Sequence, residues 1–263
     1  MFSSVSERFA KDLQAGIVNQ NDPMLVADGL PSYLLLLDGM LQERSRDPGL
    51  LFAAADLNAA YASQFTDEPA RNRRLSNKAL NYALQAVCLS YKAYCEIRTL
   101  PLNDLKFALA QSQSLDVSAL YTLATTWAGW IQAHASDWNA IAELSRVEAL
   151  LTRIIELDPS YQQGGAHLYL GVIKSLIPPA AGGRPDEAKA HFEQAIFISE
   201  ERNLMAKVLY AKHYARLMFD QQLHDQLLTD VLSAEANVTG LTLINTLAQR
   251  QARELLTESP DYF

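Results

Sequence analysis

The sequence predicts an all-α protein of tetratricopeptide-like antiparallel helical hairpins, stacked in one domain over residues 1–263. Three observations carry that prediction. Apolar residues recur at spacings of three and four through almost every segment, while strand-like alternation with β-branched enrichment is missing. Short punctuation rich in Pro, Gly and Asp separates the segments, most clearly at Asp22-Pro23, Asp47-Pro48 and Asp158-Pro159. In the stretch 158–199, Leu170-Gly171 offers a small residue where a partner helix must come close. The next segment answers with Ala188, Phe192 and Ala195 on one helical face.

Taken in order, Val5, Phe9, Leu13 and Ile17 fall at successive fours and make an opening helix over 4–19. Asp22-Pro23 starts a second helix. Asp28-Gly-Leu-Pro31 turns the chain into a third over 32–43, with Ser32 as its N-cap. Asp47-Pro48 opens an alanine-rich helix to Gln64, and Asp67-Glu-Pro69 opens one reaching about Arg98. A short element over 103–114 precedes a helix from Asp116 through Trp127 and Trp130 to His134. One long helix then covers 138–157. The hairpin of 158–199 follows, and helices over 204–219, 223–234 and 241–256 complete the chain. Helix lengths vary and no strict period of about 34 holds, so the repeats are degenerate. Stacked hairpins of this kind bury a continuous core and leave a concave binding side.

With 49% hydrophobic residues the chain has ample material for a core. Its net charge of -8 and its single short basic cluster, Arg71, Arg73 and Arg74, argue against nucleic acid as a partner. The longest apolar run, Tyr33 to Asp38, is far short of the roughly 20 residues a membrane span needs. The N-terminus carries no secretory signal pattern, which leaves a cytoplasmic protein or a trimmed mature chain. Cys88 and Cys95 fall seven apart in one predicted helix, about 10 Å from each other, so buried free thiols are expected unless the helix breaks between them.

Nucleophile-elbow, phosphate-loop, dinucleotide, paired-histidine zinc and calcium-loop patterns are all absent from the sequence. The reading is therefore a non-enzymatic protein with no catalytic residue, no metal and no cofactor. His134, His167, His191, His213 and His224 are scattered and read as structural or solvated. The insert from Ile177 to Pro185 is too long for a plain repeat hairpin and holds Pro178, Pro179, Gly182 and Gly183. A rigid, kinked loop of this kind suggests a recognition surface. The helix 203–216 alternates apolar positions with Lys207, Tyr210, His213, Tyr214 and Arg216, and its cations could hold a carboxylate or anionic headgroup. The binding candidates are Tyr169, Ile177, Pro178, Pro179, Gly182, Gly183, Lys207, Tyr210, Tyr214 and Asn245.

The runs LYLGVIKSLIPPAAGGRPDEAKAHFEQAI, NLMAKVLYAKHYARLMFDQQLHDQLL and GLTLINTLAQRQARELL resemble the TatT family, the helical T component associated with TRAP-type transport systems. DGLPSYLLLLDGM and SYKAYCEIRTLP extend the resemblance over nearly the whole chain. It implies a periplasmic protein, often lipid-anchored and touching the membrane only through that anchor. It also implies a homotrimer that docks a substrate-binding P component, and an apolar cleft for a hydrophobic or organic-acid ligand. The alternative class is a cytoplasmic tetratricopeptide adaptor that takes a peptide or protein segment into its concave groove.

Overall fold

A computed structural model of the chain describes residues 12–263. It is all-helical, with no strand among those residues. Helix α1 covers 12–18; the predicted contributions of Val5 and Phe9 lie outside the described residues. The other helices are α2 (Pro23–Glu43), α3 (Pro48–Gln64), α4 (Pro69–Ser90), α5 (Leu102–Ala110), α6 (Val117–Ala133), α7 (Trp138–Ala142) and α8 (Leu144–Leu157), then α9 (Tyr161–Lys174), α10 (Pro185–Ile198), α11 (Leu204–Leu209), α12 (Gln221–Ser233) and α13 (Thr242–Tyr262). The backbone divides into two compact units. One is Ala27–Tyr161; the other is Gln162–Phe263 with the N-terminal stretch up to Val26.

In the first unit the punctuation read from sequence acts as caps. Asp47 Oδ1 accepts from Leu50 N at 3.2 Å and Asp137 Oδ1 from Asn139 N at 2.9 Å, satisfying amides that a helix start leaves orphaned. α3 packs on α4, and α6 packs on both. Asn72 reaches Ala62 while Thr122 reaches Asp56, so α4 runs antiparallel to α3, whereas α6 lies beside α3 in the same direction. Leu41, Leu51, Ala54 and Ala86 form one buried cluster of this unit, and the fully buried Leu120, Leu123 and Trp127 mark the inner face of α6.

Three local expectations change. The turn predicted at Asp28–Pro31, with Ser32 as a cap, is instead the interior of α2, which carries Pro31 inside it. Proline removes one ladder hydrogen bond, but buried Leu30 and Leu34 on either side anchor the segment and outweigh that loss. By length and composition α2, with mean hydropathy 1.4, is long and apolar enough to cross a membrane; Val26, Leu30, Leu34 and Leu41 on it are buried inside the protein. The predicted helix 138–157 breaks at Glu143, where the chain tightens through Glu143 N donating to Ala140 O at 3.1 Å.

The third correction concerns the cysteines. α4 stops at Ser90 rather than near Arg98, a single turn of 3₁₀ helix follows at Lys92–Tyr94, and Cys95 swings back onto Cys88. Their Cα atoms lie 4.2 Å apart and the sulfurs are joined in a disulfide, so neither is the buried free thiol expected. Cys95 is exposed and Cys88 half-buried. Closing a loop this short restrains the unfolded chain by about 2 kcal/mol. Reduction with dithiothreitol is expected to lower the thermal midpoint of the wild type, and Cys88→Ser should reproduce the loss and abolish further response to reductant.

The second unit holds the hairpin of α9 and α10. Gly171 faces Phe192 closely: a Cβ there would meet ring carbons at 2.9–3.0 Å. Ala188, Phe192 and Ala195 are all buried, as the ridge predicts. α9 is entered through a left-handed run, Gln162 (φ 48°), Gln163 (φ 57°) and Gly164 (φ 77°), a strained backbone for two non-glycine residues. The predicted helix 204–219 is α11 followed by a π-helical turn at Tyr210–Ala215. α12 starts on Asp220, whose carboxylate accepts from Leu223 N at 3.0 Å, and packs against α13.

Candidate functional site

The insert between α9 and α10 folds into a tight closed turn. Gly183 N donates to Pro178 O and Gly182 N to Pro179 O, both at 3.0 Å. Gly182 is left-handed at φ 85°, where a side chain would be strained. Gly183 has no room for one either, since a Cβ would fall 1.8 Å from Ile177 O. Both predicted glycines are thus required by the turn. Ion pairs of Glu187 with Arg184 (3.0 Å) and Lys174 (3.7 Å) hold its base. Pro178 and Pro179 are exposed. Leu176 and Ile177 stand 50% and 53% exposed, apolar surface that folding has left uncovered.

The remaining candidates fall into other environments. Tyr169 is half-buried on α9. Tyr210 and Tyr214 are buried, and their ring centroids lie 5.2 Å apart. Tyr210 stacks on Phe192 at 5.1 Å, so the two tyrosines continue the packing that begins at Gly171. Burial holds both phenols above their ordinary range. Asn245 is fully buried: its Oδ1 accepts from Leu204 N and its Nδ2 donates to Arg202 O, each at 3.0 Å, fastening the start of α11 to α13. Lys207 donates to Glu201 at 2.8 Å and lies 3.7 Å from Asp230, while Arg216 pairs with Glu258 at 2.9 Å. Both cations considered for an anionic ligand already have acidic partners. The candidates therefore separate into the exposed insert, the aromatic stack of Tyr210 and Tyr214, and the polar fastenings at Lys207 and Asn245.

Sequence reasoning missed three features. His167 and His191, 24 positions apart and on different helices, place their Nδ1 atoms 2.9 Å apart, so one ring donates to the other. No periodicity signals such a pair. Burial, helped by Lys212 and Arg216, pushes His213 down to about 4. The unfolded imidazole titrates near 6.5, so the folded state holds the neutral form. Stability is full above the unfolded value and falls as pH drops from about 6.5 to about 4, by roughly 3 kcal/mol. Asp56, which the fold raises, contributes with the opposite sign over the same window, so the His213 share is read as a difference: in denaturant melts the stability of the wild type relative to His213→Gln is expected to fall from about pH 6.5 to about pH 4.

The third missed feature lies in the first unit. A cleft of about 140 Å³ opens between α3, the start of α4 and the end of α6, lined by small side chains including Ala59, Ala62, Ser76, Thr126 and Gly129. Asp56 and Thr122 sit one turn along from Ala59 and Thr126 on the same two helices, with Thr122 Oγ1 donating to Asp56 Oδ2 at 3.2 Å. Asp56 is exposed as a residue, while neighbouring atoms hinder hydration of its charged carboxylate and raise it, against the pull of the Thr122 hydroxyl.

Helices throughout the described residues, with a tight closed insert between α9 and α10 and a small cleft between α3, α4 and α6, define an all-α protein. The chain belongs to the family described as TAtT, TRAP transporter T-component, whose model matches residues 19–263. That family supplies accessory subunits of TRAP systems, which are associated with periplasmic transport. The chain is also similar to a protein of Treponema pallidum (strain Nichols), described only as uncharacterized. The two are 26% identical over 277 residues, 96% of this chain and 84% of the other.

Proposed function

We propose that the chain is a non-enzymatic accessory subunit of a periplasmic TRAP-type uptake system, working as a lipid-anchored homotrimer. In this reading it docks the substrate-binding P component and offers an apolar cleft to a hydrophobic or organic-acid ligand. The observation that carries docking is the insert, a turn locked by Gly182 and Gly183 that presents Leu176 and Ile177 to solvent. An apolar, pre-ordered prong loses little conformational entropy on binding, which favours affinity per unit of buried area. The Cys88–Cys95 bridge favours an oxidising compartment over the cytosol.

The test is a titration of the purified P component of the same transport system onto the immobilised chain. Binding is expected, and Ile177→Asp should weaken it by about tenfold or more. Trp138→Asp, a change at an 82% exposed residue of the other unit, should leave it unchanged. No binding by the wild-type chain would overturn the docking reading. Full affinity in Ile177→Asp would remove the insert from it. Native mass spectrometry of the same preparation reads the trimer and any retained ligand.

A further inference from the structure

His167 on α9 and His191 on α10 meet across the hairpin of the second unit, Nδ1 to Nδ1 at 2.9 Å, with ring centroids 5.2 Å apart. Close helix contacts on both sides of His167 hold that separation. At Gly164 an added Cβ would fall 3.3 Å from Ala195 Cα and from Ile198, and at Gly171 it would meet the Phe192 ring at 2.9–3.0 Å. The two rings are thus carried on a stiff frame. His167 is buried and His191 half-buried, so the pair has one member that solvent reaches. Burial also holds the His167 imidazole below its ordinary value, which keeps the ring neutral at pH 7.

A hydrogen bond between two neutral imidazoles needs one Nδ1 to carry the proton and the other to accept it. The same 2.9 Å suits a second arrangement. Two nitrogens bound to one ion at about 2.0–2.1 Å and at a right angle stand about 2.9 Å apart, whereas a tetrahedral angle would need about 3.3–3.4 Å. Right-angled nitrogen ligands are the preference of Cu(II), which also heads the affinity order of the divalent first-row ions. Ca(II) and Mg(II) take oxygen ligands and find none here. Among the described residues no Asp, Glu, Cys or further His joins the pair, and Glu187, one turn before His191 on α10, is committed to Arg184 and Lys174. From this geometry we infer that His167 and His191 form a two-histidine clamp for a Cu(II) ion, with both Nδ1 atoms ligating and water completing the coordination. Loading changes no oxidation state: the N–H···N bond breaks, its proton passes through solvent to Nε2 of the same ring, and two Nδ1–Cu bonds form. The site does not involve Ile177 or the docking reading.

Calorimetric titration of the untagged full chain with CuCl2 at pH 7.5, with glycine present to outcompete weaker surface sites, tests it. One Cu(II) per chain is expected. Electron paramagnetic resonance at the endpoint should give a tetragonal signal, with echo modulation from the remote nitrogens of two imidazoles. His191→Gln and His167→Gln should each weaken the ion about tenfold or more, while His134→Gln leaves it unchanged. The echo modulation reads ligation in the wild type directly, so the test holds even where a variant at the buried His167 fails to fold. No stoichiometric binding, a signal with one coordinated imidazole or none, or full affinity in His191→Gln would overturn the inference. No P component is present in these measurements, so the docking proposal stands or falls apart from them.

Discussion

Phe192→Ala is expected to lower the unfolding free energy by about 3–5 kcal/mol, the range for deleting a large aromatic from a tight core. Phe192 is fully buried, its ring lies against the bare Cα of Gly171, and Tyr210 stacks on its other side at 5.1 Å. Removing the ring leaves a void between Gly171 and Tyr210 that neighbouring groups refill only in part. Chemical denaturation followed by circular dichroism checks the loss. Gly171→Ala attacks the same contact from the opposite side, by overpacking, and should cost about 1–3 kcal/mol. The double variant tests the pairing: a methyl entering the vacated ring space should make the two changes less than additive. Strict additivity would contradict the contact.

Glu143→Ala should be nearly as damaging, at about 2–4 kcal/mol. Its carboxylate accepts from Arg98 Nε at 3.0 Å and Nη2 at 3.1 Å, and from Trp127 Nε1 at 2.6 Å. Trp127 is fully buried, so truncating the partly exposed Glu143 takes from the indole N–H its one charged acceptor and leaves only water entering the vacated space. It also releases Arg98, which lies over the Trp130 ring at 4.3 Å. Glu143→Gln keeps an acceptor for the indole but loses the charge opposite Arg98, so an intermediate loss is expected. Thermal melts of the three proteins order them, and an Ala variant as stable as wild type would remove this network from the fold's energetics.

The helical class, the Asp-Pro junctions and the Gly171–Phe192 contact were legible because each is a local signal: a period, a cap, or a small residue opposite a large one. Pro31 misled because its local preference for ending a helix is overridden by the burial of Leu30 and Leu34, a tertiary term invisible in a single segment. The break at Glu143 was hidden for a related reason, since what holds that corner is an arginine 45 positions earlier. The disulfide depended on where α4 stops, and an error of a few residues there changes the cysteine separation from out of reach to 4.2 Å. Among the candidate site residues, Gly182 and Gly183 were read only as parts of a rigid, kinked insert, and their roles in its turn come from the left-handed backbone at 182 and the lack of room at 183. Tyr210 and Tyr214 could be placed on one face from their spacing, but whether that face meets a ligand or Phe192 is settled only by packing. The cleft along α3 and α6 brings residues some 60 positions apart onto one wall, and alanine, serine and threonine at helical spacing read as ordinary close packing.

The wide turn at Tyr210–Ala215 is a phase slip in an otherwise regular winding. A π turn accommodates one residue more than an α turn, so everything after it is rotated by about 100° and displaced by about 1.5 Å from where an uninterrupted helix would carry it. Arg216 meets Glu258 and the Tyr262 ring from that shifted position. Shortening the segment by one residue would make the local backbone more regular and leave Arg216 facing both, whereas winding all six residues as α helix would turn it away. The irregular turn thus sets the angular register in which α12 and α13 receive the rest of the chain.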